Sequence, residues 1–260
     1  ELYALWKRYY GREDEAALLY DKDFFRAAEK EEATRASSGA LLQILKERIP
    51  NLFGGSADLS PSTKTELKGE PYFSAENPSG RNLHFGVREL AMAGIANGIL
   101  LHGGLRSYVG TFFVFSDYLK PMARLSALMR IPQIFVLTLD SIGVGEDGPT
   151  HEPVEQLAML RAMPNFRVFR PCDRLETEAA WYAALNSTET PTALVLSRQN
   201  LPQLCPDGRK ALKGAYILRE PEKEPEYILI ATGSELSLAL EAEELLREEG
   251  YAVRVVSMPS

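Results

Sequence analysis

Three scarcities in this chain each remove a class of answers. Cysteine occurs only as Cys172 and Cys205 in 260 residues. Two isolated cysteines have neither metal-site spacing nor the density of a disulfide framework, and they suit a reducing cytoplasm better than a stapled secreted fold. No apolar stretch approaches the roughly 20 residues that a helical membrane span requires, and no signal peptide opens the chain. Basic residues are outnumbered, 29 Lys and Arg against 36 Asp and Glu for a net charge of −7, and no local basic run stands out. Neither a nucleic-acid partner nor a membrane one is expected. What remains, 45% hydrophobic and 25% charged, is ordinary for a globular protein. The length fits one large domain, or one domain and part of another.

Along the chain, helical and strand patterns alternate. An opening helical run carries Leu2, Leu5, Trp6, Tyr9 and Tyr10. The pattern then predicts a helix over 32–49, a short strand over 52–56 and a long polar loop over 60–82. A helix headed by Glu89 and a strand over 106–110 follow. The next helical stretch, 112–130, contains Pro121, which is expected to kink or restart it. The continuous apolar run 133–139 predicts a strand covered on both faces. A glycine-rich loop leads to a helix over 153–162, with Pro153 suited to its first position. A strand over 166–170 precedes Asp173 and Glu176, a capping-box-like start for a helix to Asn186, and a strand over 192–197 closes the unit. This order predicts an α/β fold, a mostly parallel sheet with helices on both faces.

After Arg198 the pattern changes. A turn-rich connector is followed by strands over 214–219 and 227–231, a helix over 234–249 ending at Gly250, and a strand over 252–258. That is the beginning of a second α/β domain. The chain opens at Glu1 and stops one strand after a helix, so we read it as a piece of a longer protein. The expected organisation is a linking helical segment over 1–28, a first domain over 29–200, a connector over 201–213, and a truncated second domain over 214–260.

The chemistry is sought at strand ends, because ligands of parallel sheets bind beyond the carboxyl ends of the strands. Glu89 heads a helix that is apolar on most of its circumference, which predicts a buried helix; Gly94 and Gly98, one turn apart, would let another backbone approach. A carboxylate there either complements the helix N-terminus, with Arg88 as a partner, or sits in a dry pocket to exchange a proton. Beyond the strand 133–139 lies a loop of three glycines and several acids, among them Asp147, ending at His151. Such a loop favours ligand contact over a plain turn. Arg198 follows the strand 192–197 as a fixed cation suited to a phosphate or carboxylate, or to a salt bridge. Asp58, Ser60 and Ser62 follow the strand 52–56. The aromatics Phe112, Phe113, Phe115 and Tyr118 follow the strand 106–110, and serve either as core or as the wall of a flat heterocycle.

The blocks GGSADLSPS (54–62), HFGVREL (84–90), TFFVFSDY (111–118), DSIGVGEDGPTHEPVEQLA (140–158), RPCD (170–173) and LSRQN (196–200) closely resemble the transketolase family. The resemblance covers essentially the whole chain: the pyrimidine-binding domain of the thiamine-diphosphate-binding fold over 29–200, and the opening of the C-terminal domain. It implies a thiamine diphosphate enzyme that moves a two-carbon ketol unit from a ketose phosphate, such as xylulose 5-phosphate, to an aldose phosphate, such as ribose 5-phosphate, in the pentose phosphate pathway. The family's N-terminal domain, which grips the diphosphate through Mg2+ or another divalent cation, is absent, so no metal ligand is expected in this piece. A homodimer with the cofactor at the subunit interface is implied, and the piece alone is expected to be inactive.

Residue by residue, Glu89 matches the glutamate that hydrogen-bonds the cofactor's aminopyrimidine ring and drives it to the imino form that deprotonates the thiazolium carbon. That role needs a carboxyl protonated near neutral pH in a dry site. Phe112, Phe115 and Tyr118 match the aromatic wall packed on that ring. Arg35, Ser62 and Arg198 match the sugar-phosphate ligands. Asp147 matches the acid at the substrate 2-hydroxyl, and His151 the histidine near its carbonyl oxygen, suited to proton transfer. One position departs: Leu139 stands where the family usually has a histidine that helps hold the substrate phosphate, which implies weaker phosphate binding or an altered substrate preference. The alternatives are another thiamine diphosphate enzyme, of the dihydroxyacetone synthase or deoxyxylulose-phosphate synthase type, or a non-catalytic domain that binds or dimerises. The DGPTH and LSRQN blocks favour the first reading.

Overall fold

Successive residues of a strand point to opposite faces, and in this chain each face feeds its own core. The computed structural model describes residues 1–260. Its main sheet has six strands: β1 (Leu52–Ser56), β2 (Asn82–His84), β3 (Arg106–Phe112), β4 (Ile134–Thr138), β5 (Arg167–Phe169) and β6 (Thr192–Leu196). Their spatial order is β2-β1-β3-β4-β6-β5, and every pairing is parallel. Tyr108, Ile134, Val136, Leu194 and Leu196 point into one core, built with α3 (Thr34–Arg48) and α8 (Arg174–Leu185). Val109, Phe135, Leu137, Ala193 and Val195 point into the other, built with α5 (Glu89–His102), α6 (Ser116–Leu128) and α7 (Gln156–Arg161). The expected α/β architecture, with helices on both faces, is what forms. All five residues of β4 are buried, as its unbroken apolar run requires.

Strand β1 is flanked so closely that two of its positions admit no side chain. A Cβ at Gly54 would lie 2.2 Å from the Tyr108 carbonyl oxygen, and one at Gly55 would lie 2.0 Å from that of Leu83. The polar stretch after β1 holds a single helical turn, α4 (Ser60–Thr63). Before the sheet, α1 (Leu2–Tyr10) has no buried residue. After it, α2 (Glu13–Ala17) is fastened by a buried Glu15–Arg106 ion pair.

The second unit begins at β7 (Tyr216–Arg219), which pairs antiparallel with β9 (Val253–Ser257). β8 (Tyr227–Ala231) pairs parallel with β9, and α9 (Glu235–Glu248) packs on them. Polar side chains join the two units. The Glu176 carboxylate accepts the Cys172 amide at 2.7 Å, the Tyr216 hydroxyl at 2.9 Å and the Ser257 hydroxyl. Asp173 caps α8 through the Glu176 amide at 3.0 Å, and accepts the connector amides of Leu204 and Cys205 at 2.9 and 2.6 Å. Arg170 reaches from the end of β5 to Asp140 and to Glu235.

Several expectations need correction. Helix α5 is not buried all round: Leu90, Ile95 and Leu101 are 49%, 50% and 59% exposed. Gly94 meets only the Met122 side chain, and Gly98 faces open space, so no backbone of this chain uses the groove they make. Sequence apolarity marks a face that avoids water without naming what covers it. Helix α6 runs unbroken through Pro121, which forfeits one hydrogen bond to the Asp117 carbonyl without ending the helix. Helix α7 starts at Gln156, not Pro153, because the Gln156 side chain takes the Val154 amide at 2.9 Å and holds that turn outside the helix.

Candidate active site

The strand order reverses direction twice. From β1 the chain goes outward to β2 and returns to β3; from β4 it passes to β5 and returns to β6. Crevices at such reversals, beyond the carboxyl ends of the strands, are where α/β sheets bind ligands. The residues singled out from sequence fall around those carboxyl ends.

At the first reversal, β3 ends in Thr111 and Phe112 and continues through a tight turn, Phe113–Phe115, into α6. The Phe112 and Phe115 rings stack with centroids 5.9 Å apart, and Tyr118 lies 6.1 Å from Phe115, more than half exposed. His151 sets its ring edge-on to both phenylalanines, at 5.7 and 5.5 Å. The loop after β4 thus folds back over the aromatic turn. Glu89 is 8% exposed. Its one hydrogen-bond contact is from the Thr111 hydroxyl, at 3.5 Å, which is barely a bond. Arg88 is not its partner: that guanidinium turns back to the Phe85 carbonyl at 3.0 Å. The carboxyl keeps a free oxygen that is not sealed from solvent, and its Thr111 contact lies next to Phe112 in β3, where the aromatic cluster begins and ends in the exposed Tyr118. These features fit a flat, hydrogen-bonding heterocycle such as the thiamine pyrimidine.

Charged residues converge between the turn that follows β1 and the carboxyl ends of β4 and β6. Arg35, in the first turn of α3, donates to the Ser62 carbonyl at 3.0 Å. Ser62 thus holds Arg35 through its backbone, and its hydroxyl makes no recorded bond. Arg198 donates to the Val144 carbonyl and to Asp147 at 3.0 Å, with Glu146 at 3.7 Å. Burial and the neighbouring Arg198 hold Arg35 below the ordinary arginine value, while Asp147 acts the other way. Two guanidiniums that repel each other, with one partly exposed carboxylate paired to Arg198 and near Arg35, form a site suited to an anion.

Leu139 is buried at 1% exposure with φ +65, packed with Phe112 and Val144. A left-handed leucine is uncommon, whereas histidine takes that conformation several-fold more readily. Sequence reading missed two other groups. Thr111 is the one side chain that hydrogen-bonds the Glu89 carboxyl. Gln156, 2% exposed, bonds both Asp117 oxygens at 3.3 and 3.2 Å, tying the segment after His151 to the helix that carries Tyr118. Both contacts join residues far apart in the chain, so no local pattern announces them. No group of three or more His, Cys, Asp or Glu side chains is placed to hold a metal ion.

The six-stranded parallel sheet with helices on both faces defines an α/β module. The pyrimidine-binding domain of transketolase matches residues 30–203, and the transketolase-like C-terminal domain matches 214–260. The transketolase of Halalkalibacterium halodurans is 57% identical over 89% of this chain and 35% of that protein. A Pichia stipitis transketolase solved in complex with sedoheptulose 7-phosphate superposes with a TM-score of 0.87 at 42% identity, covering 100% of this chain and 41% of that one. A split-gene transketolase, solved as an inactive β4 tetramer, is 29% identical with a TM-score of 0.70, covering 88% of this chain and 71% of that one. This chain belongs to the transketolase family. It spans about a third of the length of the curated relatives it matches.

Proposed function

We propose that the complete protein is a transketolase, transferring a two-carbon ketol unit reversibly between ketose and aldose phosphates in the pentose phosphate pathway of the cytoplasm. The observation that carries this reading is the Glu89 carboxyl, 8% exposed with one 3.5 Å contact, from the Thr111 hydroxyl next to the Phe112–Phe115 aromatic pair at the strand-order reversal. Thiamine diphosphate, when bound, supplies the carbon nucleophile. Glu89 hydrogen-bonds the pyrimidine and exchanges its proton there. Phe112, Phe115 and Tyr118 pack against the ring and keep water away from it. Arg35, Ser62 and Arg198 hold the sugar phosphate, with Asp147 released from Arg198 to meet the 2-hydroxyl. His151 moves a proton at the carbonyl oxygen, its ring positioned by Phe112 and Phe115.

The diphosphate and a divalent cation such as Mg2+ are assigned to a domain outside this chain. The partly exposed apolar face of α5, with Val87 beside it at 77% exposure, supports a homodimer with the cofactor between subunits. The test of the activity is a two-carbon transfer assay on the complete protein, with xylulose 5-phosphate as donor and ribose 5-phosphate as acceptor. Absence of transfer with cofactor and magnesium present would sink the reading. Sedimentation of a fully active monomer would contradict the dimer. Chain 1–260 alone is expected to show no tight thiamine diphosphate binding by calorimetry, and micromolar binding would overturn that expectation. The inactive tetramer of the split-gene relative supports reading this region as one half of a site.

A further inference from the structure

Arg170 belongs to none of the roles above, yet it is 4% exposed and uses its whole guanidinium. On one side, Nε and Nη2 reach Asp140 Oδ2 at 2.9 and 2.8 Å. Asp140, 6% exposed, is the first residue of the loop that carries Asp147 and His151. On the other side, Nη1 donates to the Thr232 carbonyl at 2.8 Å and pairs with Glu235, while Nη2 reaches Ser234 Oγ at 3.0 Å and Glu235 Oε1 at 3.1 Å. The backbone joins in: the Arg170 amide donates to Pro259 at 2.8 Å, and its carbonyl accepts the Thr232 hydroxyl at 3.1 Å. Gly233, at φ +60, fits against this side chain; a Cβ there would lie 2.8 Å from Arg170 Cγ. Burial, with the nearby Glu235, pushes the Asp140 carboxyl up, and Arg170 opposes it, so the two charges depend on each other.

The loop that Asp140 anchors is thinly held over 145–148. Gly145 and Gly148 have positive φ and open space around them, and Glu146 is 89% exposed. The loop's middle is held by the buried Val144 and by Arg198, and its far end by the His151 ring against Phe112 and Phe115; of these, the proposed reading gives Arg198 and His151 to the substrate. We infer that Arg170 is a positioning residue: it braces the root of the substrate loop against the second unit, so that residues 232–235 help place Asp147 and His151. The kinetic part rests on the transketolase reading; the brace itself does not.

The experiment uses the complete protein with Arg170→Met, Arg170→Lys and Glu235→Gln. Without any substrate, a glutamate-specific protease is applied under native conditions and the cut after Glu146 is followed by mass spectrometry. Faster cutting in Arg170→Met, with partial rescue in Arg170→Lys, is expected. In the transfer assay, kcat/KM should fall by roughly tenfold to a hundredfold, the scale of a small misplacement of reacting groups. Thiamine diphosphate affinity should stay at the wild-type value, because Arg170 touches neither Glu89 nor the aromatic wall. If Arg170→Met does not fold, Glu235→Gln carries the test, since that side chain is 51% exposed and its loss weakens only the outer half of the grip. Wild-type cutting after Glu146 overturns the brace, whatever the activity does. Equal losses of cofactor affinity and transfer would also overturn it, since that pattern marks a general collapse. If the wild type transfers nothing, the proteolysis still decides the brace while the transketolase reading fails separately.

Discussion

Two kinds of buried carboxylate occupy this molecule. Glu176 and Asp173, at the junction of the two units, are fully buried and accept three hydrogen bonds each. Glu89, at the strand-order reversal, is 8% exposed and has one contact of 3.5 Å. The Glu89 carboxyl is not sealed from solvent, so its free oxygen is met by water where those of Glu176 and Asp173 are met by protein. Saturated carboxylates hold elements together, whereas an unsaturated one keeps its bonding capacity for something that arrives.

The sharpest way to break this comparison is Glu89→Gln in the complete protein. The amide keeps the shape but cannot exchange the proton. Hydrogen–deuterium exchange at the cofactor's reactive carbon should slow by about a hundredfold or more, while stability changes by less than about 1 kcal/mol. A wild-type exchange rate would make Glu89 a helix-end charge and nothing more. Glu176→Gln should do the reverse, costing about 1–3 kcal/mol in chemical denaturation with kcat largely kept. A variant as stable as the wild type would show that the three bonds carry no net weight.

A smaller effect is expected at Leu139→His. Histidine accepts φ +65 more readily than leucine and supplies one donor, so KM for a phosphorylated donor should fall by up to about tenfold. An equal fall for an unphosphorylated ketose would show that the phosphate is not what it contacts. The smallest response is expected from the thiols. Burial pushes Cys205 up to about 12 and Cys172 well up too. Alkylation at pH 8 should therefore proceed no faster than unfolding, and rapid labelling of the native protein would show that the junction opens.

Much of this was legible before any coordinates. The run 133–139 could only be a strand covered twice, and Asp173 with Glu176 announced the start of α8, whose cap bond forms at 3.0 Å. Alternation fixed the sheet as parallel, and the motif blocks placed the candidate site residues at its carboxyl edge. Other features resisted for physical reasons. The apolarity of α5 is the same whether its cover is this chain or another. The start of α7 is set by the Gln156 side chain, which takes the Val154 amide while Asp117, 39 positions away, holds its other end. The Asp140–Arg170–Glu235 chain joins residues separated by 30 and 65 positions, and each charge alone looks like surface.

The junction also has a place in time. Ribosomes deliver the chain from its N-terminus at about 5–20 residues per second, and domains fold largely as units as they emerge. The six-stranded sheet has all its strands once Leu196 has been made. Glu176, however, waits for Tyr216 and then Ser257, and Arg170 waits for Glu235 and Pro259. Through those seconds the Glu176 side chain has only the Cys172 amide as a partner, and that of Arg170 only Asp140, at the border where the second unit will dock. A chain arrested there differs from a completed one at a spot that proteases and chaperones can reach.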